Sequence, residues 1–311
     1  MFQPAPDIQR DSTLAAFLQD CGTDSYEDLA HRANTDPDWF WDRLIDRAGI
    51  KFSHPYTVLR DISDGPQSIK WAVGGTLNLT ETCLDAHIAG GQGAKTAIDW
   101  VGEDGSQRRW TYAELADEVA RVASALAERG VKPGQAVGIY MPMIPEIEAA
   151  ILGIARLGAI AVPLFSGFSS PAIVSRLNDA NAVAVLTADA SPRRGKPVWM
   201  EATLAQALNE VPSVHTVFSL RRFGGAVADP ARDLDWAETV GKASTDFPAV
   251  PVKSEDPFLI AYTSGTTGRP KGVVHTHLGV QAKATSDFLL CLDMKQDDRH
   301  LWMTDMGWVM L

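Results

Sequence analysis

The chain has 311 residues, 45% hydrophobic and 22% charged, an ordinary globular balance that excludes collagen-like, coiled-coil and wholly disordered architectures. At roughly 150 residues per domain, this length predicts about two domains and a sizeable buried core. A formal net charge of −11 repels phosphate backbones and anionic lipid, so neither nucleic acid nor a membrane surface is the expected partner.

Residues 1–50 hold ten Asp/Glu against four Arg, which reads as a solvated acidic face. The first residues carry early acids and no apolar run, so they do not form a secretory signal. Residues 24–48 read as a helical lead, with Asp36-Pro37 as cap and first helical position and Trp39, Phe40, Trp41, Leu44 and Ile45 on one face. Residues 49–80 are rich in Gly, Pro, Ser and Asp and read as an irregular covering segment.

From residue 96 the pattern turns α/β. Residues 97–101 and 107–110 read as short strands around a turn. Thr111-Tyr-Ala-Glu114 is a capping box, and Tyr112, Leu115, Val119, Val122 and Leu126 line one face of the helix it starts. That helix stops at Gly130. Residues 136–141, 159–165 and 182–187 read as buried strands, separated by helices over 145–157 and 170–180. The most apolar stretch, 147–165, is broken by Glu148, Arg156, Gly158 and Pro163 and fails as a membrane span. A basic turn at 192–197, a helix over 201–209, strands over 214–220 and 258–262, and a Gly/Pro/Asp-rich connection between those strands complete the pattern. The expected fold is therefore α/β, with largely parallel sheets flanked by helices and a helical or irregular N-terminal lead.

Cys21, Cys83 and Cys291 are odd in number and lack CxxC spacing, which argues against a disulfide framework or zinc knuckle and for a reducing, cytoplasmic compartment. His275 and His277 form an HxH pair with no third ligand nearby, so a zinc site is not expected.

The informative segment is YTSGTTGRPKGVVHTH, residues 262–277. Its glycines permit close backbone approach, its backbone N–H groups suit an anion nest, and its hydroxyls and Lys271 add donors and charge. Together they suit a polyphosphate. The lysine spacing does not fit a Walker A loop, which disfavours an unrelated P-loop kinase or NTPase. A flexible Gly/Ser/Thr loop is the bland alternative.

TSGTTGRPKGVVHTH resembles the phosphate-binding signature of the AMP-forming acyl-CoA synthetases, members of the adenylate-forming superfamily. WTYAELADEVARVASALAERGVKPGQAVGIYMPMIPEIEAAILGIARLGAIAVPLFSGF and TDMGW (304–308) are similar to further core stretches of that family. WFWDRLI, KFSHPYTVL, DGPQ and WAVGGTLNLTETCLDAH resemble the N-terminal extension of acetyl-CoA-synthetase-like members, departing from it at Thr82 and Ala86.

The resemblance implies ATP, Mg²⁺ and CoA as substrates and cosubstrates, with no tightly bound cofactor. A carboxylic acid, weakly favoured as short-chain, would be activated as its adenylate and passed to CoA. It implies that Thr263, Ser264, Gly265, Thr266, Thr267, Gly268 and Lys271 bind the ATP phosphates. Gly167 in LFSGF, with Arg193, Arg194 and Lys196 in SPRRGK, would bind CoA. A buried tight turn and a solvated basic turn are the alternatives for these two stretches. Trp308 and Val309 would line the acyl and adenylate pocket, with plain core packing as the alternative.

Residues 1–95 read as the extension and 96–311 as an incomplete AMP-binding domain, cut after the phosphate loop. The family's adenine-binding and Mg²⁺-binding motifs and its catalytic lysine would follow residue 311, so no catalytic residue and no metal ligand is assigned. On that expectation the chain alone has little turnover. A truncated, non-catalytic nucleotide-binding remnant or interaction protein is the competing reading.

Overall fold

The computed structural model describes residues 5–225, 227–263, 270–301 and 304–307. The chain divides into two compact units, one of Met1–Leu77, Lys253–Glu255 and His277–Trp302, the other of Asn78–Val252, Asp256–Thr276 and Met303–Leu311.

The first unit begins with α1 (Pro6–Asp11), α2 (Thr13–Cys21), α3 (Tyr26–Thr35) and α4 (Pro37–Ala48). Each of the last three starts on a side-chain cap: Ser12, Ser25 and Asp36 accept from the backbone N–H of Ala15, Asp28 and Trp39. Phe17, Cys21, Leu29 and Leu44 form a buried cluster with Trp39, Phe40 and Trp41. Most of the early acids are exposed, as a solvated face requires.

The segment expected to be irregular is instead partly paired. β1 (Val58–Asp61) and β2 (Lys70–Val73) form an antiparallel hairpin, followed by the short β3 (Thr76–Leu77). Distant residues complete it: Ser254 Oγ donates to the Trp71 and Ala72 carbonyls at 2.9 and 2.8 Å, and Trp71 N donates to Glu255 Oε1 at 2.6 Å. Four-residue strands without alternation carry no signal of their own, and their partners lie about 180 residues away in sequence.

The second unit starts with a hairpin of β4 (Thr96–Val101) and β5 (Gln107–Thr111). α5 (Tyr112–Glu128) opens on the capping box read from the sequence, with Glu114 N donating to Thr111 Oγ1 at 3.2 Å and Thr111 N to Glu114 Oε2 at 2.7 Å. Then follow β6 (Ala136–Tyr140), α6 (Pro145–Arg156), β7 (Ile160–Pro163), α7 (Ser170–Asp179), β8 (Ala184–Ala188), β9 (Ala190–Arg193), β10 (Lys196–Trp199), α8 (Glu201–Leu208), β11 (Thr216–Leu220), β12 (Asp233–Asp235) and the short β13 (Val252–Lys253). β14 (Pro257–Thr263) and β15 (Lys271–Thr276) complete this unit, and α9 (His277–Thr285) belongs to the first.

Seven strands make one sheet in the order β12-β11-β8-β6-β7-β14-β15. Every neighbouring pair is parallel except β14–β15. Strand–helix alternation with continuous apolar strands predicts this arrangement. β6 and β8 are buried at all five positions, so both faces of the sheet centre are covered. α7 and α8 supply Ile173, Leu177, Leu204, Ala207 and Leu208 to a cluster with Ala136, Tyr140, Val162 and Val185. α5 and α6 cross closely at Gly153, where a Cβ would lie 2.6 Å from Val122.

Candidate functional site

The described residues of the Gly/Ser/Thr-rich motif up to 276 lie at the antiparallel end of the sheet, with Tyr262 and Thr263 closing β14 and 271–276 forming β15. β14 buries Phe258, Leu259, Ala261 and Tyr262, and the apolar run that made it readable also locks it between β7 and β15. Its register with β15 sets Tyr262 opposite Gly272 and Thr263 opposite Lys271. Thr263 Oγ1 faces the Lys271 carbonyl at 3.4 Å. Gly272 has a local reason: a Cβ there would lie 2.8 Å from Ile260 Cγ2 and 3.5 Å from the Tyr262 ring. The Lys271 side chain is exposed and forms no ion pair among the described residues. Ser264, Gly265, Thr266, Thr267 and Gly268 lie outside the described residues, as do Trp308 and Val309.

The C-terminal end of β14 is tied by polar contacts. The Tyr262 hydroxyl donates to Asp179 Oδ2 at 2.6 Å, and burial first, then this bond, pushes the phenol's pKa upward. The buried Arg176 guanidinium lies 4.1 Å from the Phe168 ring centre and 5.9 Å from that of Tyr262. Its NH1 donates to the Ala172 carbonyl at 2.8 Å, its Nε has no partner among the described residues, and burial lowers its pKa.

The 164–168 stretch follows β7. Leu164 N donates to the Ile139 carbonyl at 2.8 Å, and Phe168 N closes a turn on the Phe165 carbonyl at 2.9 Å. The Tyr140 hydroxyl donates to the Phe168 carbonyl at 3.2 Å. Burial, with a smaller contribution from the Asp305 charge, pushes that phenol up to about 12. Gly167 sits in this turn, exposed rather than buried. A Cβ at 167 would lie 2.7 Å from the Phe165 ring, so a larger residue here would have to displace that ring.

Arg193, Arg194 and Lys196 crown the β9–β10 hairpin, with Arg193 paired to Lys196 and Arg194 and Gly195 at the tip. Both tip residues have positive φ, +53° and +73°, as a type I′ turn demands. All three cations are exposed, and none forms an ion pair among the described residues. Exposure of this kind suits both readings of the turn, solvated face and phosphate grip.

Three features escaped the sequence reading. Asp189, fully buried at the end of β8, accepts from the backbone N–H of Ala190, Phe223 and Arg222 at 2.7, 2.8 and 3.0 Å, and from Gly225 at 3.4 Å. It ties the root of the basic hairpin to the 221–225 loop. Glu103 Oε1 accepts from Gly195 N at 3.0 Å at the tip. Asp305 Oδ2 accepts from Ser166 Oγ at 2.7 Å, joining two stretches that the sequence offers only as separate motifs.

His275 is half-buried on β15 and His277 is fully buried at the start of α9. Burial lowers both pKa values, that of His277 to about 4. No group of three or more His, Cys, Asp or Glu is placed to hold a metal ion among the described residues.

Comparison with known proteins decides the family. Residues 86–311 match the family described as AMP-binding enzyme. The chain belongs to the AMP-binding enzyme family. Residues 26–83 match the acetyl-coenzyme A synthetase N-terminus, in agreement with the resemblance of the N-terminal lead to acetyl-CoA-synthetase-like members. The acetyl-coenzyme A synthetase of Mycolicibacterium smegmatis is 42% identical over 273 residues, covering 87% of this chain and 29% of that protein. That of Rhodopirellula baltica is 40% identical over 316 residues, covering 99% of this chain and 46% of the relative. Acetoacetyl-CoA synthetase from Streptomyces lividans superposes with a TM-score of 0.91 at 26% identity, over 99% of this chain and 48% of that one. The chain thus spans less than half the length of these relatives.

Proposed function

We propose that the chain forms the phosphate-holding and CoA-holding portion of an AMP-forming acyl-CoA synthetase acting on a short-chain carboxylic acid. The observation that carries this reading is the β14–β15 register, which sets Thr263 and Lys271 opposite one another at the two ends of the motif. Acetyl-coenzyme A synthetase relatives at 40–42% identity support a small acyl group. Residues 1–95 serve as the acetyl-CoA-synthetase-type extension and 96–311 as part of the AMP-binding domain.

In this reaction a carboxylate oxygen attacks the α-phosphorus of ATP, and the bond to the β-phosphate oxygen breaks. The pyrophosphate that leaves gathers charge, which Lys271 and the hydroxyls and N–H groups of residues 263–268 neutralise. The CoA sulfur then attacks the acyl carbon, AMP departs and the thiol proton is lost. Arg193, Arg194 and Lys196 hold CoA phosphate by charge-assisted hydrogen bonds, and Gly167 keeps its turn clear for the cofactor's approach. Mg²⁺ travels with ATP in this chemistry, and among the described residues no group of three or more His, Cys, Asp or Glu is placed to hold it.

The three cysteines are unpaired, which supports a reducing cytoplasm. No helix among the described residues is long and apolar enough to cross a membrane.

Equilibrium titration of the 311-residue chain with ATP and with CoA tests the proposal. Saturable binding of both is expected, and binding of neither contradicts it. Carboxylate-dependent exchange of pyrophosphate into ATP, compared across acetate, butyrate and octanoate, reads the adenylation half-reaction and its chain-length preference. Binding without exchange is the result for a nucleotide-binding protein without turnover.

A further inference from the structure

The turn at 164–168 and the stretch 304–307 are joined through one carboxylate. Asp305 Oδ2 accepts from Ser166 Oγ at 2.7 Å and from Ser166 N at 3.4 Å. Its other oxygen, Oδ1, accepts from Gly307 N at 2.8 Å and so closes its own turn. Gly307 seats directly on the other stretch: a Cβ there would lie 2.0 Å from Phe165 N and 2.3 Å from Phe165 Cα. Backbone therefore lies on backbone at this point, and the carboxylate sets the register between the two.

Two further contacts fix the turn, one from β6 and one from α7. Tyr140 holds the Phe168 carbonyl, and Arg176 lies against the Phe168 ring. The Asp305 bridge adds a directional polar contact to the Gly307 backbone packing between the turn and the 304–307 stretch, which precedes Trp308 in sequence. A hydrophobic contact would tolerate sliding; a carboxylate bound to a hydroxyl, with its second oxygen held by Gly307, does not.

We propose that Asp305 is a positioning residue for CoA, acting through Ser166 to fix the turn that carries Gly167 against the stretch that leads to the acyl pocket. This rests on the reading of Gly167 as part of the CoA site.

Calorimetric titration of the full 311-residue chain with CoA and with ATP tests this in Ser166→Ala, Asp305→Ala, the double variant and Ser166→Thr. CoA affinity is expected to fall about tenfold in each single variant, as loss of a charge-assisted hydrogen bond implies. The double variant should be no worse than Asp305→Ala alone, because the Ser166 hydroxyl has already lost its acceptor there. Ser166→Thr, which keeps the hydroxyl, should restore affinity, and ATP affinity should stay within about twofold throughout. General unfolding would move both ligands together and would not be rescued by threonine.

Wild-type CoA affinity in Ser166→Ala overturns the proposal, as do additive losses or a parallel loss of ATP affinity. Should Asp305→Ala fail to fold, the Ser166→Ala and Ser166→Thr pair decides alone. A wild-type chain that binds ATP but not CoA overturns the CoA reading itself, and the positioning role with it; wild-type binding with an indifferent Ser166→Ala overturns the positioning role only.

Discussion

Two antiparallel strand pairs in the second unit each end on an exposed cation and are supported in opposite ways. In β14–β15 the terminal pair is Thr263 and Lys271; in β9–β10 it is Arg193 and Lys196. β14 is an inner strand of a seven-stranded sheet, with four buried residues behind its exposed end. β9–β10 stands apart as a two-stranded sheet, and β10 is exposed at all four positions. The first pair takes its place from the hydrophobic core. The second takes it from polar ties, Asp189 at the root and Glu103 at the tip. Apolar burial spreads a strand's support over many contacts, whereas a polar tether concentrates it in a few groups whose loss is felt at once.

Asp189→Ala should break this contrast most visibly. It leaves the backbone N–H groups of Ala190, Arg222 and Phe223 without the buried carboxylate that accepts from them, and the unfolding free energy in urea should fall by about 3 kcal/mol. CoA affinity should fall more than ATP affinity. A loss below about 1 kcal/mol would mean that the hairpin does not depend on this carboxylate.

Tyr262→Phe tests the other side, where support is shared. Removing the hydroxyl bonded to Asp179 should cost only about 1 kcal/mol, because the buried ring remains. The pH dependence has a definite sign. The folded-state pKa of Tyr262 lies above its ordinary value of 10.0, so its contribution is fully present below about pH 10 and is lost as pH rises beyond it. Unfolding profiles at pH 9 to 11 should therefore be flatter in the variant than in the wild type, and identical slopes would contradict the assignment.

Arg194→Gly gives the smallest change in stability and the most informative sign. Arg194 has φ +53°, which glycine adopts without strain, so the variant should be more stable by about 0.5 kcal/mol. If the arginine also grips CoA phosphate, affinity should fall while stability rises. Equal CoA affinity would assign Arg194 to the solvated turn alone.

Much of the sheet was legible in the sequence because its strands are continuous apolar runs between capped helices. Val137, Ile139, Val185 and Leu186 are buried as their pattern demands, and Thr111 and Glu114 form the capping box their spacing announces. What was not legible depends on distant partners. Ser254 and Glu255 complete the β1–β2 hairpin from far along the chain, and Asp293 Oδ1 accepts from Thr13 N at 2.7 Å within the same unit. The site followed the same division. Lys271 and the SPRRGK cations stand out as local strings, whereas Asp189 and Asp305 are ordinary aspartates until folding brings backbone donors and Ser166 to them.

The central claim is that phosphate of ATP and phosphate of CoA are held by two separately supported strand pairs. Calorimetric titration of Lys271→Ala and of the Arg193→Ala/Lys196→Ala double variant with both ligands tests it most directly. Lys271→Ala should weaken ATP by about 1.5–3 kcal/mol and leave CoA unchanged, and the hairpin variant should do the reverse. Loss of both ligands in either variant, or of neither in both, would contradict the account.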